Sequence, residues 1–317
     1  MGNSTDFIII GAAIIDVLAQ PVNPDVFSTG SHPADQIAMQ TGGDALNEAS
    51  VLAAMGGSVR LVSKIGQDSA GEFLLDTCRK RGIKTDSISQ DPAISTGINV
   101  VFVDADGERH FITSPNGSLR KLCPSDIPDD ALEDGAILCF ASIFVAPTFD
   151  NAALANLFSY AKQKGMILCA DMTKRKNGEN IADMKDCLSL LDYIFPNYEE
   201  AALLTGLNDW DEIAEAFLDC GVKHVILKAG KKGCFIKSKS ERFWIPAYPS
   251  AKCIDTTGAG DTFTACFLYA LRKGLSLPEC GQFANSGASI CIEQVGASGI
   301  IKNIDQILER CPGISID

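Results

Sequence analysis

The stretch DTTGAGDTF (residues 255–263) sets Gly258 and Gly260 directly before an apolar segment, with Asp261 at the junction. Residues 262–273 carry Phe263, Cys266, Phe267, Ala270 and Leu271 at helical spacing and stop at Gly274, which predicts a helix starting near Gly260. The free N–H groups of its first turn then point back at the TGAG turn. Gly258 and Gly260 lack Cβ and can take positive φ, so successive N–H groups can converge on an anion; the helix dipole adds roughly half a positive charge there. Such a nest suits a phosphoryl group. Asp261, in the first helical turn, is expected to be held ionised by the same dipole, ready to accept a proton from a hydroxyl nucleophile. The competing reading is that Asp255, Thr256 and Asp261 only cap the helix.

Outward from this turn, short apolar runs alternate with helical patterns. Residues 7–10, 59–65, 137–141, 166–170, 193–195 and 225–228 read as strands. Helices are predicted over 45–55, 72–81, 151–164 and 212–220, each closed by a glycine. Alternation of this kind argues for an α/β fold, a mostly parallel sheet with helices on both faces. Two pieces break it: a hairpin over 98–113 with Asp106-Gly107 at its turn, and a loop-rich, strand-like insertion over 17–41. Together they can form a small sheet covering the edge of the large one. A second hairpin, 234–237 with 243–245, leads into the DTTGAGDTF turn.

At 317 residues the chain can bury roughly 75% of its unfolded surface, so one large domain spanning 1–317 is expected. Its 12 cysteines contain no C-x-x-C pair and read as reduced core residues, which points to the cytoplasm. The N-terminus MGNSTDFIII lacks a basic n-region and reads as a first strand, not a signal peptide. The longest apolar run, 136–146, is well below the roughly 20 residues a spanning helix needs. Sequons at Asn3 and Asn116 carry no meaning without secretion. A net charge of −13 opposes nucleic acid and anionic membranes as partners, but not a nucleotide held by local N–H groups, a few cations and Mg²⁺.

Several chemistries fail on spacing. Gly230-Lys231 is followed by Lys232, so no Walker A loop is present, and neither glycine cluster matches G-x-G-x-x-G. The histidines, His32, His110 and His224, sit in no hydrolase or zinc motif. Gly42-Gly43, leading into Asp44, Ala45, Leu46 and Asn47, is a second glycine site. It reads either as a tight turn with a cap or as a place where a polar ligand approaches the backbone and Asn47 meets a diol. Asp16, after the first strand, is either a strand-end cap or a carboxylate gripping hydroxyls; open α/β sheets bind ligands at that edge. Asn197 and Glu200 cap another helix, or order Mg²⁺ and its waters.

Taken together these motifs resemble the ribokinase or PfkB family of carbohydrate kinases over nearly the whole chain. DTTGAGDTF resembles the family's C-terminal signature and QTGGDALNEA (40–49) its N-terminal one. NYEE (197–200) resembles its N-x-x-E magnesium motif, and LKAGKKG (227–233) the strand and turn beside the nucleotide. Asp171 with Arg175 resembles a D-x-N-x-R element in which Thr173 replaces Asn. IGAAIIDVLAQPV, NGSLRKL and CADMTK further resemble the YdjH-type sugar kinases.

The resemblance implies a three-layer sandwich with a small β-sheet lid, built from about 17–41 and 98–113, that pairs two subunits. It implies transfer of the γ-phosphoryl of ATP to a sugar hydroxyl, with Asp261 as base and Gly258, Ala259 and Gly260 as anion hole. Asp16, Gly42, Gly43, Asn47 and Arg109 would bind the sugar, and Lys228, Gly230, Thr257 and Asn285 the nucleotide. Asn197 and Glu200 would hold Mg²⁺ through water, and Asp255, Thr257 and Gly296 a monovalent cation, K⁺. Nucleoside kinase, or a non-catalytic sugar sensor on the same fold, are the alternatives. Ile14 and Asp44 stand where ribokinases place Asn and Lys, which puts ribose in doubt, and Asp44 argues against a sugar phosphate. Arg109, Lys174 or Arg175 can nevertheless receive a phosphate or carboxylate.

Overall fold

The computed structural model describes residues 5–105, 108–297 and 299–316. The expected hairpin turn Asp106-Gly107 and the sequon residue Asn3 lie outside the described residues. In chain order the strands are β1 (Thr5–Ile10), β2 (Ile14–Gln20), β3 (Gln36–Gly42), β4 (Val59–Gly66), β5 (Ile88–Asp91), β6 (Ile98–Val103), β7 (Arg109–Thr113), β8 (Gly135–Ile143), β9 (Ile167–Met172), β10 (Tyr193–Ile194), β11 (His224–Lys228), β12 (Cys234–Ser238) and β13 (Arg242–Ile245). The helices are α1 (Val26–Thr29), α2 (Asp44–Ala54), α3 (Ser69–Lys80), α4 (Asn151–Gln163), α5 (Lys185–Leu188), α6 (Tyr198–Thr205), α7 (Trp210–Asp219), α8 (Ala259–Arg272), α9 (Leu277–Cys291) and α10 (Asp305–Leu308).

The larger sheet runs β13-β12-β11-β10-β9-β8-β1-β4-β5, parallel from β11 to β5 and antiparallel only at the β12–β13 hairpin end. Its central strands β1, β8, β9 and β11 are mostly apolar because both faces are covered. Phe7 and Ile9 of β1 point to one core, shared with α2, α3, α8 and α9; Ile8 and Ile10 point to the other, shared with α4, α6 and α7. This period-2 alternation yields the three layers. The parallel strands β1, β8, β9, β10 and β11 end at one edge, so Ser142, Asp171, Asn197 and Lys228 gather there.

The smaller sheet, β3-β2-β6-β7, joins the two segments that broke the alternation. β2 pairs in parallel with β6 and antiparallel with β3. Among the described residues its own buried cluster is Leu18, Val101 and Val103. The insertion starts at Ile14 rather than residue 17, since Ile14 and Ile15 are still buried.

Helices α3 and α9 depart from the sequence pattern. The helix expected over 72–81 begins at Ser69, because Asp68 caps it by accepting a hydrogen bond from Gly71 N at 2.9 Å. Helix α9 contains Gly281 and Gly287, poor helix formers. A Cβ on Gly287 would lie 2.3 Å from Cys266 Sγ, so close packing of α9 on α8 demands the glycine that hides the helix. No helix among the described residues is long and apolar enough to cross a membrane.

Candidate active site

Helix α8 starts at Ala259 with Gly258 as N-cap at φ 73, ψ 1. A side chain there would be strained by the left-handed backbone and would meet Ala297 Cβ at 2.6 Å. Gly260 differs from expectation: it lies inside the helix and has no positive φ. Its missing Cβ would stand 3.4 Å from Lys228 Nζ, so this glycine keeps open the space beside the ammonium. The Ala259 N–H, one of three donors expected at the anion hole, closes the turn on Thr256 O at 3.2 Å.

Asp261 is half-buried, and its Oδ2 accepts a hydrogen bond from Asn47 Nδ2 at 2.7 Å, which joins the two glycine motifs. The expectation that the helix dipole keeps it ionised is corrected here. Burial pushes its carboxyl well above the usual range and the nearby Asp44 carboxylate adds to this; the Asn47 bond and the Lys228 charge oppose both without prevailing. Half a charge at a helix end cannot outweigh removal from water. Burial also raises Asp44, whose carboxylate accepts from Ser142 Oγ.

Lys228 is half-buried and pairs with Asp171 Oδ2. Burial works against its charge, but Asp171, Glu200 and Asp261 outweigh it and raise its pKa. Asp171 is fixed in turn by Thr264 Oγ1 at 2.8 Å and Met172 N at 2.7 Å. Asn197 and Glu200 form a reciprocal cap on α6: Asn197 Oδ1 accepts from Glu200 N at 2.9 Å and Glu200 Oε2 from Asn197 N at 3.0 Å. Burial nonetheless pushes Glu200 up to about 7.

Two cavities meet at Lys228, Gly230 and Gly260. One, of about 300 Å³, is acidic and lined by Asp44, Ser142, Asp171, Asn197, Glu200 and Asp261. The other, of about 460 Å³, is more apolar, with Tyr248, Pro249, Ala288, Ile292 and Asn285 among its walls. Asn285 is tied to the backbone there, donating to Pro246 O at 3.0 Å and Ile245 O at 3.2 Å.

On the smaller sheet, Asp16 Oδ1 accepts from Asn99 Nδ2 at 3.0 Å. Gly42 makes room for this carboxylate, since a Cβ on it would lie 2.1 Å from Asp16 Oδ2. Gly43 takes φ 93 and packs on Ala12 O. Asn99 and Ser142 were not legible as site residues: Asn99 faces Asp16 only through the parallel β2–β6 register, which no local pattern announces. The buried oxygens Asn47 Oδ1 and Asn99 Oδ1 have no hydrogen-bond partner among the described residues.

The three cations expected to receive an anionic acceptor all have partners. Lys174 pairs with Glu199 at 3.1 Å, Arg175 donates to the backbone oxygen of Glu179, and Arg109 pairs with Asp255. Asp255 is the expected cation ligand, and its Oδ1 also accepts from Thr257 N at 3.0 Å and Thr257 Oγ1 at 2.8 Å. Its Oδ2 accepts from Gly296 N at 2.7 Å.

A family model described as pfkB family carbohydrate kinase matches residues 4–303. The chain belongs to this family of carbohydrate kinases. It is 30% identical over 260 residues to an uncharacterized sugar kinase of Archaeoglobus fulgidus, covering 80% of this chain and 99% of that one. Ribokinase of Staphylococcus aureus is 28% identical over 273 residues, 84% of this chain and 86% of its own. Among solved structures, Arabidopsis thaliana ribokinase complexed with ribose and ATP superposes with a TM-score of 0.81 at 25% identity, covering 97% of this chain and 98% of that one. The α/β architecture and sugar-kinase membership implied by the motifs are thereby confirmed.

Proposed function

We propose that the protein transfers the γ-phosphoryl group of ATP to a hydroxyl of an uncharged sugar or sugar derivative, with Asp261 as general base. The observation that carries this reading is the Asn47–Asp261 hydrogen bond, beside the point where two cavities share Lys228, Gly230 and Gly260. Asn47 engages Oδ2, so Oδ1 is the oxygen that takes the acceptor's proton. A carboxylate with raised proton affinity suits that step, because general-base efficiency rises as the pKa nears the working pH. The Lys228 ammonium and the backbone N–H groups of Gly258 and Gly260 stabilise charge on the transferred group, the main demand of phosphoryl transfer.

The larger cavity takes the nucleotide. Asn197 and Glu200 hold Mg²⁺ through water; when bound, it neutralises phosphate charge. The donor set fits, since burial disfavours the Glu200 charge and a divalent cation would restore it. Asp16, with the unpartnered Asn47 and Asn99 oxygens, suits the hydroxyls of a polyol, while Asp16 and Asp44 repel an anionic acceptor.

The smaller sheet acts as a lid on one kinase domain and pairs two subunits. Exposed Ile37, Met39, Phe111 and Ile112 support the pairing, as an apolar surface of this kind on a small sheet calls for a partner. All twelve cysteines are free thiols, in keeping with a cytoplasmic protein.

A coupled ADP-release screen over pentoses, hexoses, ketoses, sugar acids, their phosphates and nucleosides tests the reading. Turnover confined to a neutral sugar and lost in Asp261→Asn is the expected result. Turnover only on nucleosides or anions, or near-normal turnover in that variant, would overturn it.

A further inference from the structure

The Asp255 carboxylate lies beneath the glycine turn and is only 6% exposed. A carboxylate offers about four lone-pair directions. Here four donors meet it: Thr257 N and Thr257 Oγ1 on Oδ1, Gly296 N and the Arg109 guanidinium on Oδ2. The Asp255 side chain expected to hold K⁺ therefore has no lone pair to spare for a monovalent cation in this conformation. The Asp255 oxygen that would face the ion carries a guanidinium instead, and Gly296 turns its N–H to the carboxylate. The space left where the smaller sheet meets the glycine turn, with Asp16, Gln40, Arg109, Thr257, Gly296 and Ala297 among its walls, is about 20 Å³, room for roughly one water.

Arg109 comes from a different part of the molecule than the turn it serves. It opens β7, the edge strand of the smaller sheet, 146 positions from Asp255 in sequence. Its charge also acts on Asp16 in the same sheet, where it opposes the rise that burial causes. One side chain thus links the acceptor-gripping carboxylate to the carboxylate that braces the anion hole.

We propose that Arg109 is the resident counter-charge of Asp255, a positioning residue that replaces the monovalent cation and lets the TGAG turn assemble only when the smaller sheet lies down on it. The proposal rests on the kinase reading for what the turn does, but not for how it is tested. A buried carboxylate without its partner is strongly destabilising, so removing the guanidinium leaves a vacancy that a small cation can fill. Ordering of the turn then becomes salt-specific, where before it was built into the chain.

The test compares wild type, Arg109→Ala, Arg109→Lys and Asp255→Asn in KCl and in choline chloride at equal ionic strength. Thermal unfolding midpoints, with and without MgADP, are read beside kcat. Wild type and Arg109→Lys should give the same midpoint and the same kcat in both salts. Arg109→Ala should lose about 10-fold or more in kcat in choline chloride, the lower end of what electrostatic preorganisation contributes. KCl should restore part of that loss and raise the midpoint, because an ion that binds only the folded state stabilises it. Asp255→Asn should show no such recovery. Activation or stabilisation of wild type by K⁺ over choline would overturn the proposal. So would an Arg109→Ala protein whose midpoint does not distinguish K⁺ from choline. The unfolding arm needs no acceptor sugar, so failure to find any turnover would sink the kinase reading while leaving this comparison intact.

Discussion

Asn47 Nδ2 donates to Asp261 Oδ2 at 2.7 Å, tying helix α2 to helix α8 across 214 positions of sequence. In the proposed reaction the bond fixes one carboxylate oxygen and leaves the other to the acceptor. Removing it by Asn47→Ala should lower kcat by about 10-fold to 10²-fold through misplacement of the base. Loss of the base itself in Asp261→Asn should cost at least about 10²-fold. Nucleotide affinity, measured by calorimetry, should change little in either variant, since the bond stands on the acceptor side.

With Asp261 as the proposed base, its proton affinity sets the pH dependence. Its folded pKa lies above the ordinary 3.8, raised by burial first and then by Asp44, so the base is protonated and idle over a wider acid range than a free carboxylate. Activity is present above the folded pKa and is lost as pH falls through it. The acid limb of kcat/KM, which reports the free enzyme, should therefore stand above the ordinary carboxylate range. Asp44→Asn, by removing a negative neighbour, should move that limb toward acid; a shift toward alkali would contradict the electrostatics described.

Glu48, on the same helix as Asn47, has both side-chain oxygens buried with no N–H or O–H donor to them among the described residues, only the Cys139 thiol nearby, and burial drives its pKa well above the usual value. Below pH 4.5 folded and unfolded forms are both protonated and the group contributes no pH dependence. Above it the unfolded chain ionises and the folded one does not, so stability falls as pH rises, until the folded pKa is passed. Each unit of separation costs about 1.4 kcal/mol. Glu48→Gln should flatten this slope and match or exceed the wild type in denaturant titrations at pH 8, with the two proteins closest near pH 4.5.

Which features were legible in the sequence follows from how local their causes are. The glycine turn, its helix and the alternating strands were, because caps and periodicity act within a few residues. The Lys228–Asp171 pair was not, as it spans 57 positions and exists only because β9 and β11 flank the short β10. The raised proton affinity of Asp261 escaped for a related reason: the helix dipole is visible in a sequence, whereas the burial and the Asp44 charge that override it come from distant parts of the chain. Glu48 reads as an ordinary polar residue in a helix until the helix is laid on β8 beside Cys139.

On β3, Ile37 and Met39 share a face and are 73% and 49% exposed, an arrangement costly in water unless covered. If the smaller sheet pairs two subunits, Ile37→Glu should shift the molecular mass in light scattering from dimer to monomer without lowering the unfolding cooperativity. An unchanged mass would remove this face from the interface.

Gly258 and Gly260 stand two residues apart and should respond oppositely to alanine. Gly258→Ala forces a side chain into a left-handed backbone and against Ala297, so the folded state should lose stability. Gly260 is already helical, and its new Cβ meets only Lys228 Nζ at ordinary contact distance, 3.4 Å. Gly260→Ala should therefore keep or gain about 0.5–1 kcal/mol of stability, the usual helical preference for alanine. Its kcat should nonetheless fall by about 10-fold or more, because the methyl group would occupy the space proposed for the transferred phosphoryl group beside the ammonium. Thermal melts and steady-state kinetics on both variants separate the two effects: a Gly260→Ala protein that melts low would show a structural glycine, and one that turns over normally would place the phosphoryl group elsewhere.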